Sequence, residues 1–581
     1  MFRFGHIGRR IGLNSVEHDR SAPVDGRSHV VGATEPDLKD VTIPQLFRET
    51  LDAFGDREAL VFSETGLRLT YREFDERIDQ CAAGLLALGL QKGDRVGIWS
   101  PNRFEWVLTQ FATARIGAIL VNINPAYRLS ELQHALHKVG CKALIAAPVF
   151  KSSNYVDMLC ELLPELASAK PGALRAASLP ELRHVIVMSA EPGAGMMPFD
   201  DLAKLGGADE RAQLEVIDAT LTPQEPINIQ FTSGTTGLPK GATLSHFNIV
   251  NNARFVTDRI DMTDADTLVI PVPLYHCFGM VMGVLGAVSK GARIVFPGEA
   301  FDPVQTLDAT EAERATALYG VPTMFVAMLQ ELGNRSRDLS SLRTGIMAGA
   351  PCPIEVMNRV GSEMHMSEVT ICYGMTETSP VSFQSFTNDP VDKRCETVGR
   401  IHPHLEVKLI DESGETVPVG ERGEICTKGY SVMTGYWGDE EATGKSIRDG
   451  WMHTGDLGVF DELGFCSIVG RVKDMIIRGG ENIFPREIEE FLIRHPAVSE
   501  AQVFGVPDDK LGEVVCAWII EKPGSALAAE EIRAFCKGQI AHYKVPKHVR
   551  VVAELPMTIT GKPQKFVMSE RMQDMLAKEA E

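Results

Sequence analysis

Apolar and polar positions alternate along the chain in two rhythms, and their order predicts an α/β fold. Ile43 to Phe54 carries apolar residues at helical spacing, and Leu69-Thr70-Tyr71 introduces a second helix from Arg72 to Leu88. Arg95 to Trp99 reads as a short apolar strand, Phe104 to Arg115 as a helix, and Ala118 to Ile123 as the next strand. The rhythm continues with a helix near Ser130–Lys138 and strands at Ala143–Ala147 and His184–Met188. Pro192 to Glu225 is polar and reads as a connector. A second alternating block then predicts strands at Ile227–Phe231, Thr267–Val272, Arg293–Phe296, Thr316–Tyr319, Thr344–Met347 and Glu368–Cys372. Alternation of this kind implies parallel sheets covered by helices on both faces. From Leu405 the texture turns to short strands at Glu406–Ile410, Gly423–Thr427, Val459–Phe460 and Phe465–Val469, a smaller β-rich subdomain. After Arg471 a compact α+β segment follows, with helices near Pro485–Arg494 and Ala529–Ile540.

Composition narrows the classes of function. At 581 residues and 44% hydrophobic content the chain is too long for one core, and two or more domains are expected. A net charge of −20 argues against nucleic acid or an anionic membrane surface as the main partner. The eleven cysteines are scattered, without a C-x-x-C pair or zinc spacing, as for reduced thiols in a cytosol-like compartment. The apolar run Phe278 to Val288 is well short of the ~18–20 residues that span a bilayer. Residues 1–41 are expected to be a flexible N-terminal extension. Arg3, Arg9, Arg10 and Arg20 give it a faint presequence character, opposed by Glu17, Asp19 and Asp25. A cytoplasmic location is expected, with the mitochondrial matrix as the alternative.

The densest chemistry lies in Phe231-Thr232-Ser233-Gly234-Thr235-Thr236-Gly237-Leu238-Pro239-Lys240-Gly241, with three glycines, four hydroxyls and one lysine. Glycines let backbone N–H groups converge on an anion, and Lys240 adds a mobile point charge. The stretch is not a Walker A loop, because Pro239 precedes the lysine and Gly241 follows it. After it, Ser245 is placed to cap a helix in which Phe247, Val250, Ala253 and Val256 recur at three-residue steps. The strand at Glu368–Cys372 runs into Tyr373-Gly374-Met375-Thr376-Glu377-Thr378, where an aromatic ring, a hydroxyl and a carboxylate stand at a strand's C-terminal end, suited to a ligand crevice. Here Tyr373 is able to stack on a purine, Thr376 to donate to a phosphate and Glu377 to hold Mg²⁺. Gly349-Ala350-Pro351 follows another strand, and Trp451 to Leu457 holds Thr454-Gly455-Asp456. Gly470-Arg471-Val472-Lys473-Asp474, Arg478-Gly479-Gly480-Glu481-Asn482-Ile483 and Pro556-Met557-Thr558-Ile559-Thr560-Gly561-Lys562 complete the set. Each is weak alone, since all are built from ordinary loop residues.

Taken in order, these motifs resemble those of the adenylate-forming superfamily, which includes acyl- and aryl-CoA synthetases, firefly luciferase and peptide-synthetase adenylation domains. The resemblance spans about Thr42 to Glu570. It implies a large N-terminal domain (42–472) of two doubly wound βαβ sheets plus a small β-barrel-like subdomain, and a mobile α+β C-terminal domain (473–581). It also implies that residues 232–237 and Lys240 hold the ATP phosphates, and that Gly349, Ala350, Pro351, Tyr373 and Gly374 border the adenine. Thr376 then meets the α-phosphate, Glu377 binds Mg²⁺, and Asp456 and Arg471 take the ribose. By the same resemblance Lys562 stabilises the adenylation transition state, Lys473 is the hinge, and Arg478, Gly479 and Gly480 approach CoA. His276, Val321 and Met324 belong to the acyl pocket. The place of His276 carries no aspartate to pair with an amino-acid ammonium, which favours a neutral or hydrophobic carboxylic acid.

The closest likeness is to medium-chain fatty-acyl-CoA synthetases, through Asn124-Pro125-Ala126-Tyr127, Arg478 to Ile483, and Thr560-Gly561-Lys562-Pro563-Gln564-Lys565-Phe566. The expected co-substrates are ATP with Mg²⁺, a carboxylic acid and CoA. An aryl or short-carboxylate ligase, or adenylation with another acceptor, stays open, as does a homodimer.

Overall fold

The computed structural model describes residues 21–232, 239–478, 481–508, 510–537, 539–558 and 562–580. Four sheets of five or more strands organise it. The first runs Met197–Pro198, His184–Val187, Cys141–Ala146, Arg95–Trp99, Ile119–Asn122, Pro226–Thr232, Lys240–Ser245, Gly435–Tyr436. It is parallel as far as Pro226–Thr232 and antiparallel beyond. The second has a parallel interior, in which Glu368–Gly374, Thr344–Ala348, Ala317–Gly320, Thr267–Val269, Arg293–Phe296 and Glu58–Phe62 lie side by side. Antiparallel strands close both of its edges. The third sheet is antiparallel and carries Leu405–Ile410, Arg422–Gly429, Trp451–Phe460 and Cys466–Arg471. The fourth belongs to the C-terminal segment, with Ile476–Arg478, Val498–Asp508, Gly512–Glu521 and His548–Val551.

The helix His246–Asp258 is buried among these units. Its Ser245 cap accepts the Asn248 N–H while the Asn248 side chain returns to the Ser245 N–H. Ile249, Val250, Ala253 and Val256 pack into the main core. Three buried asparagines on the same helix tie it outward. Asn248 donates to the Val432 carbonyl, Asn251 exchanges two hydrogen bonds with the Lys39 backbone, and Asn252 does the same with Val381. A buried amide left unpaired is costly, so each of these bonds fixes the position of its partner segment.

Several expectations need correction. Lys240 does not pass from a loop directly into a helix. It starts the strand Lys240–Ser245, paired antiparallel to Pro226–Thr232 with Thr232 opposite Lys240. The connector 192–225 holds the helix Ala208–Asp218. The extension drawn as 1–41 is not wholly outside the fold: His29–Val31 pairs with Leu405–Ile410, because its unpaired backbone completes the edge of the third sheet. Residues 1–20 lie outside the described residues. Thr454-Gly455-Asp456 lies within the strand Trp451–Phe460, with Gly455 at φ +70° where the ladder against Arg422–Gly429 shifts register.

Candidate active site

Two neighbouring parallel strands set the centre of the site. Ala348 pairs with Cys372, so the turn Gly349-Ala350-Pro351 and the exit Tyr373-Gly374 leave the second sheet side by side at its carboxyl edge. Both glycines are demanded by the backbone. Gly349 has φ +91°, and a Cβ on Gly374 would stand 1.7 Å from the Pro380 carbonyl oxygen. Beyond Gly374, Thr376–Thr378 forms a short 3-10 turn that buries Glu377, 5% exposed.

A cavity of about 310 Å³ opens on this edge. Gly349, Ala350, Pro351, Tyr373, Gly374, Asp456, Arg471 and Lys562 all line it, although they come from stretches more than 200 residues apart. Asp456 is buried, 4% exposed, and accepts from two partners: the Tyr373 hydroxyl at 2.6 Å and Arg471 Nε at 2.6 Å. Burial, then the Asp456 carboxylate, pushes the Tyr373 hydroxyl well above its ordinary range, so it stays a donor.

A second cavity, of about 170 Å³, shares Gly349, Gly374 and Lys562 with the first. It also holds His276, Phe278, Met282, Val321, Met324 and Thr376. A third space of about 350 Å³ continues from it past Pro273, Val321 and Met324. Lys562 sits on the wall between the nucleotide-sized cavity and the apolar one. Lys562 is exposed to solvent through the cleft, with protein groups crowded around its ammonium. Burial and then Arg471 hold its ammonium below the usual lysine range, opposed by Asp456 and Glu377. Burial and then Lys562 drop His276 to about 3, so its imidazole is neutral at pH 7.

Glu377 Oε1 accepts the Tyr436 hydroxyl at 2.9 Å, and Lys240 Nζ stands 5.2 Å over the Tyr436 ring. Tyr436 thus connects the phosphate-loop flank to the metal candidate. Sequence reasoning missed it; the only signal was an aromatic pair between Gly435 and Gly438. Lys565, quoted from the sequence only as part of the Thr560–Phe566 likeness and given no site role, pairs with Glu489 at 2.6 Å on the first cavity's wall.

Of the other candidates, Thr232 and Lys240 anchor the two ends of the glycine-rich loop. Ser233, Gly234, Thr235, Thr236 and Gly237 lie outside the described residues, as do Gly479 and Gly480. Arg478 lies on the strand Ile476–Arg478 and lines none of the three cavities. Lys473 is in the turn Val472–Asp474 that leads from the third sheet into the C-terminal segment.

A protein-family description, AMP-binding enzyme, matches residues 47–437, and a second, AMP-binding enzyme C-terminal domain, matches residues 487–562. The chain belongs to this family. The mitochondrial medium-chain acyl-CoA ligase ACSF2 of Danio rerio is 48% identical over 566 residues, 97% of this chain and 93% of that protein. The putative acyl-CoA synthetase YngI of Bacillus subtilis (strain 168) is 47% identical over 536 residues, 92% of this chain and 97% of that protein. Among solved structures, ATP-bound MatB from Rhodopseudomonas palustris superposes with a TM-score of 0.78 at 30% identity, covering 91% of this chain and 99% of that one. The large domain and the small AMP-binding C-terminal domain expected from the motifs are therefore those of the family. Among the described residues no helix is long and apolar enough to cross a membrane.

Proposed function

We infer that this chain is an AMP-forming acyl-CoA ligase acting on medium-chain fatty acids. The observation that carries the reading is the position of Lys562, which lines both the cavity with Tyr373 and Asp456 and the apolar cavity with His276 and Met324. An acid whose tail lies in the apolar space presents its carboxylate beside this ammonium. The α-phosphate of ATP, with its ribose on Asp456, comes to the same point. The barrier is the approach of two anions, and a fixed cation with aligned reactants lowers it. The carboxylate oxygen attacks the α-phosphorus, the bond to the pyrophosphate oxygen breaks, and acyl-AMP and pyrophosphate form. Neutral His276 lets the acid's carboxylate approach without competing for its charge.

The residues around Glu377 fit Mg²⁺. A buried carboxylate held by the Tyr436 hydroxyl, beside the Thr376 hydroxyl, matches an ion that takes one or two carboxylates and completes its shell with phosphate oxygens and water. When bound there, Mg²⁺ neutralises phosphate charge. In the second step the thiol of CoA attacks the acyl carbonyl and AMP leaves, giving acyl-CoA. Lys562 occupies the place where the thiol must arrive, so the C-terminal domain turns about Lys473 and brings the Arg478-Gly479-Gly480 segment inward. The location best supported is a reducing compartment, the cytoplasm or the mitochondrial matrix, since all eleven cysteines are free thiols.

The test is pyrophosphate release with MgATP across straight-chain, aromatic and short carboxylic acids, with and without CoA. Sustained release that requires CoA and peaks at medium-chain acids is expected. A peak at aromatic acids, or release indifferent to CoA, overturns the reading.

A further inference from the structure

We propose that Glu424, Cys426 and His453 form a second metal site, separate from Glu377, for a thiophilic divalent cation of the Zn²⁺ type. The site is built on two strands of the third sheet. Glu424 and Cys426 are two residues apart on Arg422–Gly429 and therefore face the same side, and Cys426 pairs directly with His453 on Trp451–Phe460. Cys426 Sγ lies 3.5 Å from His453 Nδ1, and that nitrogen lies 3.1 Å from Glu424 Oε2. All three donor atoms fall within 4.8 Å of one another.

The two separations from His453 Nδ1 match edges of a metal tetrahedron. Bonds of about 2.3 Å to sulfur and about 2.0 Å to nitrogen and oxygen, at a tetrahedral angle, place S and N about 3.5 Å apart and N and O about 3.3 Å apart. The two edges from His453 Nδ1 are already in place, and the sulfur–oxygen separation lies within 4.8 Å, against about 3.5 Å for the tetrahedral edge. The carboxylate is also oriented from behind, since its Oε1 accepts the Gly455 N–H at 3.1 Å. Cys426 is fully buried, whereas Glu424 and His453 reach the wall of a hollow of about 730 Å³. That hollow gives the ion its access and leaves the fourth position to water. One thiolate, one imidazole and one carboxylate select a borderline-soft ion, Zn²⁺ or its probe Co²⁺, over Mg²⁺ or Ca²⁺. On binding, the Cys426 S–H proton passes to solvent and the sulfur lone pair goes to the metal. The ion fastens two strands immediately before Asp456, in a hollow also lined by Val472, Met475 and Phe484 where the third sheet leads into the C-terminal segment.

The experiment is titration of the chelator-treated full chain with Co²⁺, followed by ultraviolet and visible absorption. One equivalent is expected to give a sulfur-to-cobalt charge-transfer band and the intense visible bands of a tetrahedral site, both displaced by Zn²⁺. Cys426→Ser removes the charge-transfer band, His453→Gln weakens Co²⁺ binding by at least about tenfold, and Cys160→Ser, at the exposed cysteine, changes nothing. Should Cys426→Ser fail to fold, His453→Gln decides. Absence of the band in the parent chain, its survival in His453→Gln at unchanged affinity, or its loss in Cys160→Ser overturns the proposal.

Discussion

Replacing Lys562 with methionine keeps a long unbranched stem and removes the charge, and its effect should divide the reaction in two. On the proposed reading the ammonium lies where acyl carboxylate and α-phosphate meet; Asp456, Glu377 and Arg471 are its charged surroundings. A unit charge about 4 Å from a developing negative charge contributes about 4 kcal/mol at an effective dielectric of about 20. The cleft admits solvent to Lys562, which screens part of this, and losing one aimed donor at comparable sites costs about 2.7–4 kcal/mol. Acyl-AMP formation should therefore slow by about 100- to 1000-fold. Thioester formation from supplied acyl-AMP and CoA should stay within about twofold, because on the proposed reading the C-terminal domain has turned and carried Lys562 away from the acyl carbonyl in that step. Single-turnover measurement of both half-reactions, with octanoate as the acid, makes the comparison. Equal losses in the two halves would refute the reasoning, as would a first half-reaction that stays fast. The same geometry sets a pH dependence. Lys562 acts as the ammonium, so adenylation is full below its lowered pKa and falls as pH rises through it. Arg471→Gln removes a like charge and should move that alkaline limb upward at saturating ATP.

Three further outcomes follow from the cavities and the core. Asp456→Asn takes the ionised acceptor from Tyr373 and Arg471; hydrogen bonds to charged groups contribute about 1.5–3 kcal/mol, so the KM for ATP should rise about 10- to 100-fold. A rise in the KM for the acid instead would place Asp456 elsewhere. Met324→Trp fills the join between the two apolar spaces, and with ~1–3 kcal/mol per misplaced methylene, kcat/KM for decanoate should fall at least about tenfold relative to hexanoate. An unchanged chain-length profile would exclude this path. Burial holds His246 at about 3, with its Nδ1 accepting from the Ile43 N–H at 3.1 Å. Between its ordinary value and 3 the unfolded chain binds a proton there that the native chain does not. This histidine alone should therefore lower stability by about 2 kcal/mol between pH 7 and pH 5 in urea titrations, in addition to the share from His276, which burial also holds at about 3. His246→Gln, which still accepts from Ile43, should remove its own share of that slope and leave the rest.

The motifs were legible because each sits where backbone chemistry leaves a local mark. Gly349 and Gly374 occupy positions that a Cβ would spoil, and Tyr373 to Thr378 ends a run of apolar strand residues. The helix Ile43–Phe54 was legible for the same reason, through its Thr42–Gln45 capping box, and Phe104–Arg115 through its apolar spacing alone. Tyr436 was not, since a tyrosine in a glycine-bearing turn has no local reason to meet Glu377, 59 positions away. Nor were Glu424, Cys426 and His453, whose spacing matches no zinc pattern and which converge only through strand register.

By itself the sequence determined the order of most strands and helices and the family, and it singled out the candidate groups, because periodicity, caps and glycine-bearing turns are decided within a few residues. Only the tertiary structure decided which of those groups face one another. It turned Asp456 from a presumed ribose acceptor alone into the partner of Tyr373 and Arg471, and it set Lys562 on the wall shared by two cavities. It also revealed the central helix as a polar tie. The spacing of Phe247, Val250, Ala253 and Val256 announced an apolar face, but Asn248, Asn251 and Asn252 bind three segments that lie far away in the chain. Long-range pairing of buried polar groups depends on which backbones pack together, and no local pattern encodes that.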